Sequence, residues 1–77
     1  MRVTLSLRGD YAVRAMLALA EHQRAEPREP LSARAIAERM RIPQRFAAHV
    51  LADLVRAELA VGSTGRHGGY RLTRPAA

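Results

Sequence analysis

The sequence predicts a mainly α fold closed by a small β-hairpin: three helices and a wing, a single winged helix-turn-helix domain over residues 1–77. Two observations carry this reading. Between Ser32 and Ala57 a short helical pattern, a tight turn and an amphipathic helix follow one another. Directly behind them comes Thr64-Gly65-Arg66-His67-Gly68-Gly69-Tyr70-Arg71-Leu72-Thr73-Arg74, a glycine-rich cationic hairpin tip running into a short strand. Glycine tolerates a positive φ and close backbone approach, so this segment can turn sharply and carry Arg66 out on its tip.

The first helix is expected over residues 7–23, with Ser6 as N-cap. Val13, Met16, Leu17 and Ala20 follow the i, i+3, i+4, i+7 spacing of a buried stripe. Residues 24–31 break that pattern with Pro27 and Pro30 among charges and read as an exposed loop. Ser32 caps a short second helix to residue 40, which buries Ala33, Ile36, Ala37 and Met40. Arg41-Ile42 makes the turn. Pro43, pre-set in φ and lacking an N–H, suits the first turn of a third helix over residues 43–57. Strands near 59–63 and 70–73 form the wing.

The third helix has two faces. Counting roughly 100° per residue from Gln44, Phe46, Ala47, Val50, Leu51 and Leu54 fall on one apolar arc, which takes Phe46 into the core. Arg45, Ala48, His49 and Ala52 fall on the opposite side with Gln44. Polar heads at a helix start followed by small residues suit a helix that enters the DNA major groove, because the heads reach base edges and the small residues let the helix sink in. Gln44 and Arg45 are the candidate base readers, glutamine for adenine and arginine for guanine, with Ala48 and His49 beside them. Arg41, Arg34 and Arg56 are candidate phosphate contacts, and the helix start at Ser32 can receive a phosphate on its N–H groups. Thr64, Arg66 and His67 at the wing suit the minor groove, whose negative potential draws arginine. Tyr11 and Met16 are expected in the core, and Tyr70 is expected to pack its ring under the wing.

Composition narrows the function. The chain has 13 basic and 7 acidic residues, a net charge of +6, and every basic residue is Arg. Its pI near 11.5 makes an anionic polymer, double-stranded DNA above all, the expected partner. With 77 residues it buries only about 60% of its unfolded surface, leaving little stability to spare. There is no Cys, which removes disulfides, thiolate metal sites and iron–sulfur clusters, and the three His are scattered, so no metal and no cofactor are expected. No nucleophile–base pair, carboxylate pair or phosphate loop with a following Lys is present, so the chain is not expected to be an enzyme. No run approaches the roughly 20 apolar residues of a membrane span and residues 1–7 do not form a signal peptide, so a cytoplasmic, nucleoid-associated protein is expected.

Met1-Arg2-Val3-Thr4-Leu5, Gly9-Asp10-Tyr11-Ala12-Val13-Arg14-Ala15-Met16-Leu17, Ile36-Ala37-Glu38-Arg39, Ile42-Pro43 and above all Gly68-Gly69-Tyr70-Arg71-Leu72-Thr73-Arg74 resemble the Rrf2 family of bacterial winged helix-turn-helix transcription regulators. The resemblance runs in order along essentially the whole chain. It implies a homodimer on a palindromic operator, with helix three in the major groove and the wing, residues 62–70, in the minor groove. Family members usually continue into a long dimerisation helix and often carry Cys that hold an iron–sulfur cluster. This sequence ends at Ala77 without Cys, so neither element is carried over. Many relatives have an acidic residue and Gln where Ala48-His49 stand, which implies a different operator preference. Glu58 occupies the position where the family commonly has Gly at the helix end, so the resemblance leaves a left-handed cap there open. Two functions follow from different classes: a sequence-specific DNA-binding regulator, most naturally a repressor, and, as the alternative, a winged-helix module whose wing or third helix docks another protein.

Overall fold

A computed structural model describes residues 7–74, so the N-cap expected at Ser6 lies outside the described residues. Helix α1 runs Leu7–Ala25, past the expected end at residue 23. Beyond Gly9 it is built from good helix formers, with Asp10 in its first turn and His22 and Arg24 in its last complementing the helix dipole. The Asp10–Arg14 ion pair, 2.7 Å, adds i,i+4 support. The buried stripe is not the expected one. Ala15, Ala18 and Leu19 are buried, whereas Val13 and Leu17 are 46% and 53% exposed. From Tyr11 to Ala20 only Arg14 is polar, so periodicity leaves the facing side open, and the small Ala15 and Ala18 let neighbouring helices approach closely. Met16 and Tyr11 pack against the core as expected, partly buried.

The connection to the second helix is only partly the exposed loop expected. Leu31, 5% exposed, is part of the core. It exchanges two hydrogen bonds with Tyr70: its N–H donates to the Tyr70 carbonyl at 3.0 Å and its carbonyl accepts from the Tyr70 N–H at 2.8 Å. One residue thereby forms an antiparallel bridge on the wing. A single paired residue leaves no alternation in the sequence, which is why the pattern missed it.

Helix α2 is Ala33–Met40, and the Ser32 hydroxyl accepts from the Ala35 N–H at 3.1 Å, the expected N-cap. It ends on Arg41 in a left-handed conformation, φ 55°, with the Arg41 and Ile42 N–H groups both turned back to the Ala37 carbonyl. Ile42 is then driven into the core. Helix α3 is Gln44–Arg56 and Pro43 is its N-cap rather than part of its first turn. The Pro43 carbonyl accepts from the N–H groups of Phe46 and Ala47. Ala47, Val50, Leu51 and Leu54 are buried, but Phe46, expected among them, is 39% exposed at the edge of the apolar arc. Burying Leu19, Ile36, Val50 and Leu51, the largest fully enclosed side chains, contributes about 1.5–3 kcal/mol each.

The left-handed cap left open after α3 does form. Glu58 has φ 62°. Its N–H donates to the Val55 carbonyl at 3.0 Å and the Leu59 N–H to that of Leu54 at 2.9 Å, the paired bonds of a Schellman end. These bonds satisfy carbonyls that would otherwise be orphaned, and they hold a residue with a Cβ in a conformation that disfavours one. Glu58→Gly is therefore expected to stabilise the domain by about 1 kcal/mol, raising the melting temperature by about 4–8 °C in a thermal unfolding scan. An unchanged or lower melting temperature would show that the side chain of Glu58 offsets its backbone cost.

The wing consists of β1, Ala60–Ser63, and β2, Gly69–Leu72, one residue out from the expected bounds at their starts. They pair antiparallel with Ala60 opposite Leu72 and Ser63 opposite Gly69. The Tyr70 ring lies across Gly62 on the facing strand, where an added Cβ would come within 3.2 Å of it. A turn closed by the Gly68 N–H on the Gly65 carbonyl, 3.0 Å, forms the tip, with Gly65 at φ 103°. The Leu72 N–H donates to Gln23 Oε1 at 2.6 Å and ties β2 to the end of α1. Among the described residues the fold is thus three helices and a two-stranded wing, as the sequence predicts.

Candidate nucleic-acid interface

The residues singled out for a DNA partner are all exposed: Ser32 and Arg34 at the start of α2, Arg41 in the turn, Gln44, Arg45, Ala48 and His49 on α3, and Thr64, Arg66 and His67 on the wing. The α3 set stands together because the opposite arc of the helix, Ala47, Val50, Leu51 and Leu54, is anchored in the core. No side chain caps the start of α3, the end that carries Gln44 and Arg45. Such a helix start presents unpaired N–H groups and the positive end of the dipole to the same space as the arginine.

Further along, the helix and the wing enclose a groove of about 430 Å³ lined by Ala52, Val55 and Arg56 on one side and Gly62, Ser63, Thr64 and Tyr70 on the other. Thr64 and Arg56 are the predicted contacts that line this groove, while Arg66 and His67 stand beyond it on the tip turn. Small residues and the absent Gly62 side chain keep the groove open. Ser32 and Arg34 lie outside its lining, and both already have partners: the Ser32 hydroxyl in the α2 cap, and Arg34 Nε on Glu38 at 3.2 Å. The Arg34–Glu38 pair is largely exposed, and such pairs contribute little and exchange readily for a phosphate.

Two arginines the sequence places far apart meet on α3. Arg8 Nε reaches Asp53 Oδ2 at 2.6 Å, and Arg56 is hydrogen-bonded to the other oxygen of the same carboxylate. Arg56, a candidate phosphate contact, is therefore held beside its own helix. With Arg8 and Asp53 separated by 45 positions, nothing in the local pattern signals the link. The hydrogen bond from Arg8, joined by the charges of Arg8 and Arg56, holds the Asp53 carboxyl below the usual carboxylate range. A depressed carboxylate stabilises the fold above its unfolded pKa, and that contribution is lost as pH falls through the folded value. Asp53→Asn is accordingly expected to lower stability at neutral pH by the small amount an exposed, screened pair contributes, and to flatten the curve below about pH 4 by that same amount. Unfolding by denaturant at a series of pH values checks it: parallel curves for the two proteins would remove Asp53 from the acid limb.

No helix among the described residues is long and apolar enough to cross a membrane. A family model described as Rrf2, iron-dependent transcriptional regulator, matches residues 5–77. An rrf2-like HTH-type transcriptional regulator of Rhodobacter capsulatus is 39% identical over 64 residues, which are 83% of this chain and 43% of that protein. Among solved structures, T. potens IscR superposes with a TM-score of 0.81 at 34% identity over 95% of this chain and 51% of its own. CymR, the global cysteine regulator of B. subtilis, superposes with a TM-score of 0.84 at 24% identity over 96% of this chain and 55% of its own, a likeness of fold. The chain thus spans about half the length of the relatives it matches. The iron named in the family description finds no fitting donors among the described residues: there is no Cys and no group of three or more His, Asp or Glu placed to hold a metal ion. A match along residues 5–77, a relative at 39% identity and the winged fold itself together establish that this chain belongs to the Rrf2 family of transcriptional regulators.

Proposed function

We propose that this chain is the sequence-specific DNA-binding domain of a transcriptional repressor, with α3 in the major groove and the wing in the minor groove. The observation that carries the reading is the exposed face of α3, where Gln44 and Arg45 stand at an uncapped helix start ahead of Ala48 and Ala52, beside a wing whose tip holds Arg66. Gln44 and Arg45 read base edges, Ala48 and His49 border them, and the small residues let the helix approach. Arg41 and Arg34, with the helix start at Ser32, fix the domain on phosphates, while Thr64, Arg66 and His67 enter the minor groove. Two copies bind together, each on one half of a palindromic operator about one DNA turn apart, and block transcription by occupying the promoter. No cofactor takes part in these contacts. A protein-docking role for the same face would call for apolar side chains where Gln44, Arg45 and His49 stand, which favours DNA.

Fluorescence-anisotropy titration of duplex from the protein's own promoter against a scrambled duplex, at low and moderate salt, tests the proposal. Tighter promoter binding that persists as salt is raised is the expected result. Equal affinities that vanish together with salt would reduce the face to a merely basic surface, and no binding at low salt would overturn the DNA reading.

A further inference from the structure

Phe46, like Val55, is a large apolar residue of α3 that the core does not take, but its ring has neighbours that hold it. It faces Tyr11 of α1 with ring centroids 6.0 Å apart and planes inclined by 38°. The Arg14 guanidinium covers the Tyr11 ring at 5.5 Å from its centroid. Arg14 is itself fixed, by Asp10 at 2.7 Å and by the Met40 carbonyl at the end of α2 at 3.3 Å. At the outer end of this series the Arg45 guanidinium stands 5.2 Å from the centroid of Phe46. The series runs cation, ring, ring, cation from the end of α2, across α1, to the start of α3.

We propose that Phe46, backed by Tyr11 and Arg14, is a positioning residue that holds the Arg45 guanidinium in place before DNA arrives and so sets which base pair Arg45 reads. This rests on the reading of α3 as the recognition helix. The chemistry allows both contacts at once. A guanidinium is attracted to an aromatic ring through its flat face, while its five N–H donors point outward in its own plane. Contact with Phe46 therefore leaves the edge of Arg45 free to fork to the two acceptors of a guanine. A long side chain already confined to one region loses less freedom on binding than one sweeping through solvent, which strengthens the contact without adding a new one. Leucine at position 46 would keep apolar volume and remove the ring; tyrosine would keep the ring.

The test begins with the free full chain, before any duplex is added. The Arg45 side-chain N–H resonances are expected to be shifted by the ring current in the wild type and in Phe46→Tyr, and to return to the ordinary arginine position in Phe46→Leu. The duplex that the wild type prefers is then selected from a randomised pool. Phe46→Leu is expected to bind it about two- to fivefold more weakly, the worth of an exposed cation–π contact, with a smaller loss on scrambled duplex and restoration in Phe46→Tyr. In an Arg45→Ala background the same change should have no further effect on binding. An ordinary Arg45 resonance in the wild type would overturn the proposal without any variant having to fold. Equal losses on both duplexes, or a full additional loss on top of Arg45→Ala, would overturn it too, since both describe a structural role. A wild type that prefers no duplex overturns the parent reading and this proposal together; a selective wild type with an equally selective Phe46→Leu overturns this one alone.

Discussion

Gly69→Ala is expected to destabilise the domain by about 2–3 kcal/mol, a large share of the total for a chain of this size. A Cβ built at Gly69 falls 2.7 Å from the Leu31 carbonyl oxygen, 2.8 Å from its carbon and 3.1 Å from the Ser32 nitrogen. These are backbone atoms, so no side chain can swing aside. Relief requires β2 to withdraw from Leu31, which breaks the two hydrogen bonds between Leu31 and Tyr70 and loosens a core residue. It also disturbs the residue whose hydroxyl caps α2. Loss of each hydrogen bond costs about 0.5–1.5 kcal/mol, and the melting temperature of a domain this small falls by about 4–8 °C per kcal/mol. Thermal unfolding followed by circular dichroism should therefore show a fall on the order of 10–20 °C. Gly65→Ala is the control: its φ of 103° disfavours a side chain, but no atom lies within 4 Å of the added Cβ. Its cost is about 1 kcal/mol, from backbone strain alone. Equal losses in the two variants would mean that the close approach of β2 to Leu31 is not what glycine at position 69 serves.

The Leu31–Tyr70 bridge also marks where sequence reasoning stops. Ser32, Pro43 and the glycines of the wing act through local rules, one as a cap, one by its fixed φ, the others by permitting a turn, and each is found near the place those rules put it. The buried arc of α3 is likewise local, because polar and apolar residues separate cleanly around the helix. Helix α1 has no such separation between Tyr11 and Ala20, so which side is buried depends on what α2 and α3 offer, and Val13 and Leu17 end outside. Phe46 stays outside the core for a related reason. It sits on the boundary of an arc, and the aromatic ring of Tyr11, 35 positions away by their numbering, decides how it packs. Glu58 shows the reverse limit: the Schellman bonds and the pull of Leu59 onto the wing impose a left-handed residue even where the sequence supplies no glycine. The candidate interface was legible as a set of exposed residues, but the capture of Arg8 and Arg56 by Asp53 was not, since it joins the two ends of a long chain segment.

Arg45→Ala and Arg41→Asn should separate the reading of sequence from the holding of backbone, and asparagine is chosen at position 41 for a structural reason. Arg41 has φ 55°, a conformation that any residue with a Cβ occupies at a cost and that asparagine occupies more readily than alanine, so asparagine keeps lost binding apart from lost folding. Asparagine tolerates that conformation and removes the charge. Alanine is harmless at position 45, in the first turn of a regular helix. If Arg45 forks to a guanine, Arg45→Ala costs about 1–3 kcal/mol on the preferred duplex, roughly 5- to 150-fold, and much less on scrambled DNA. If Arg41 holds a phosphate, Arg41→Asn weakens both duplexes alike and lowers the slope of log affinity against log salt by about one. Anisotropy titrations at several salt concentrations measure both quantities, and identical behaviour of the two variants would sink the division of roles. The contrast is read one copy at a time, on an isolated half-site against scrambled duplex. Where two copies occupy a palindrome, each substitution is made in both half-sites, so the free-energy loss on the operator is doubled while the loss for a single copy on random duplex is not. A loss from Arg45→Ala on the full palindrome twice that on an isolated half-site, in logarithmic terms, is therefore the expected sign that two copies read the operator together.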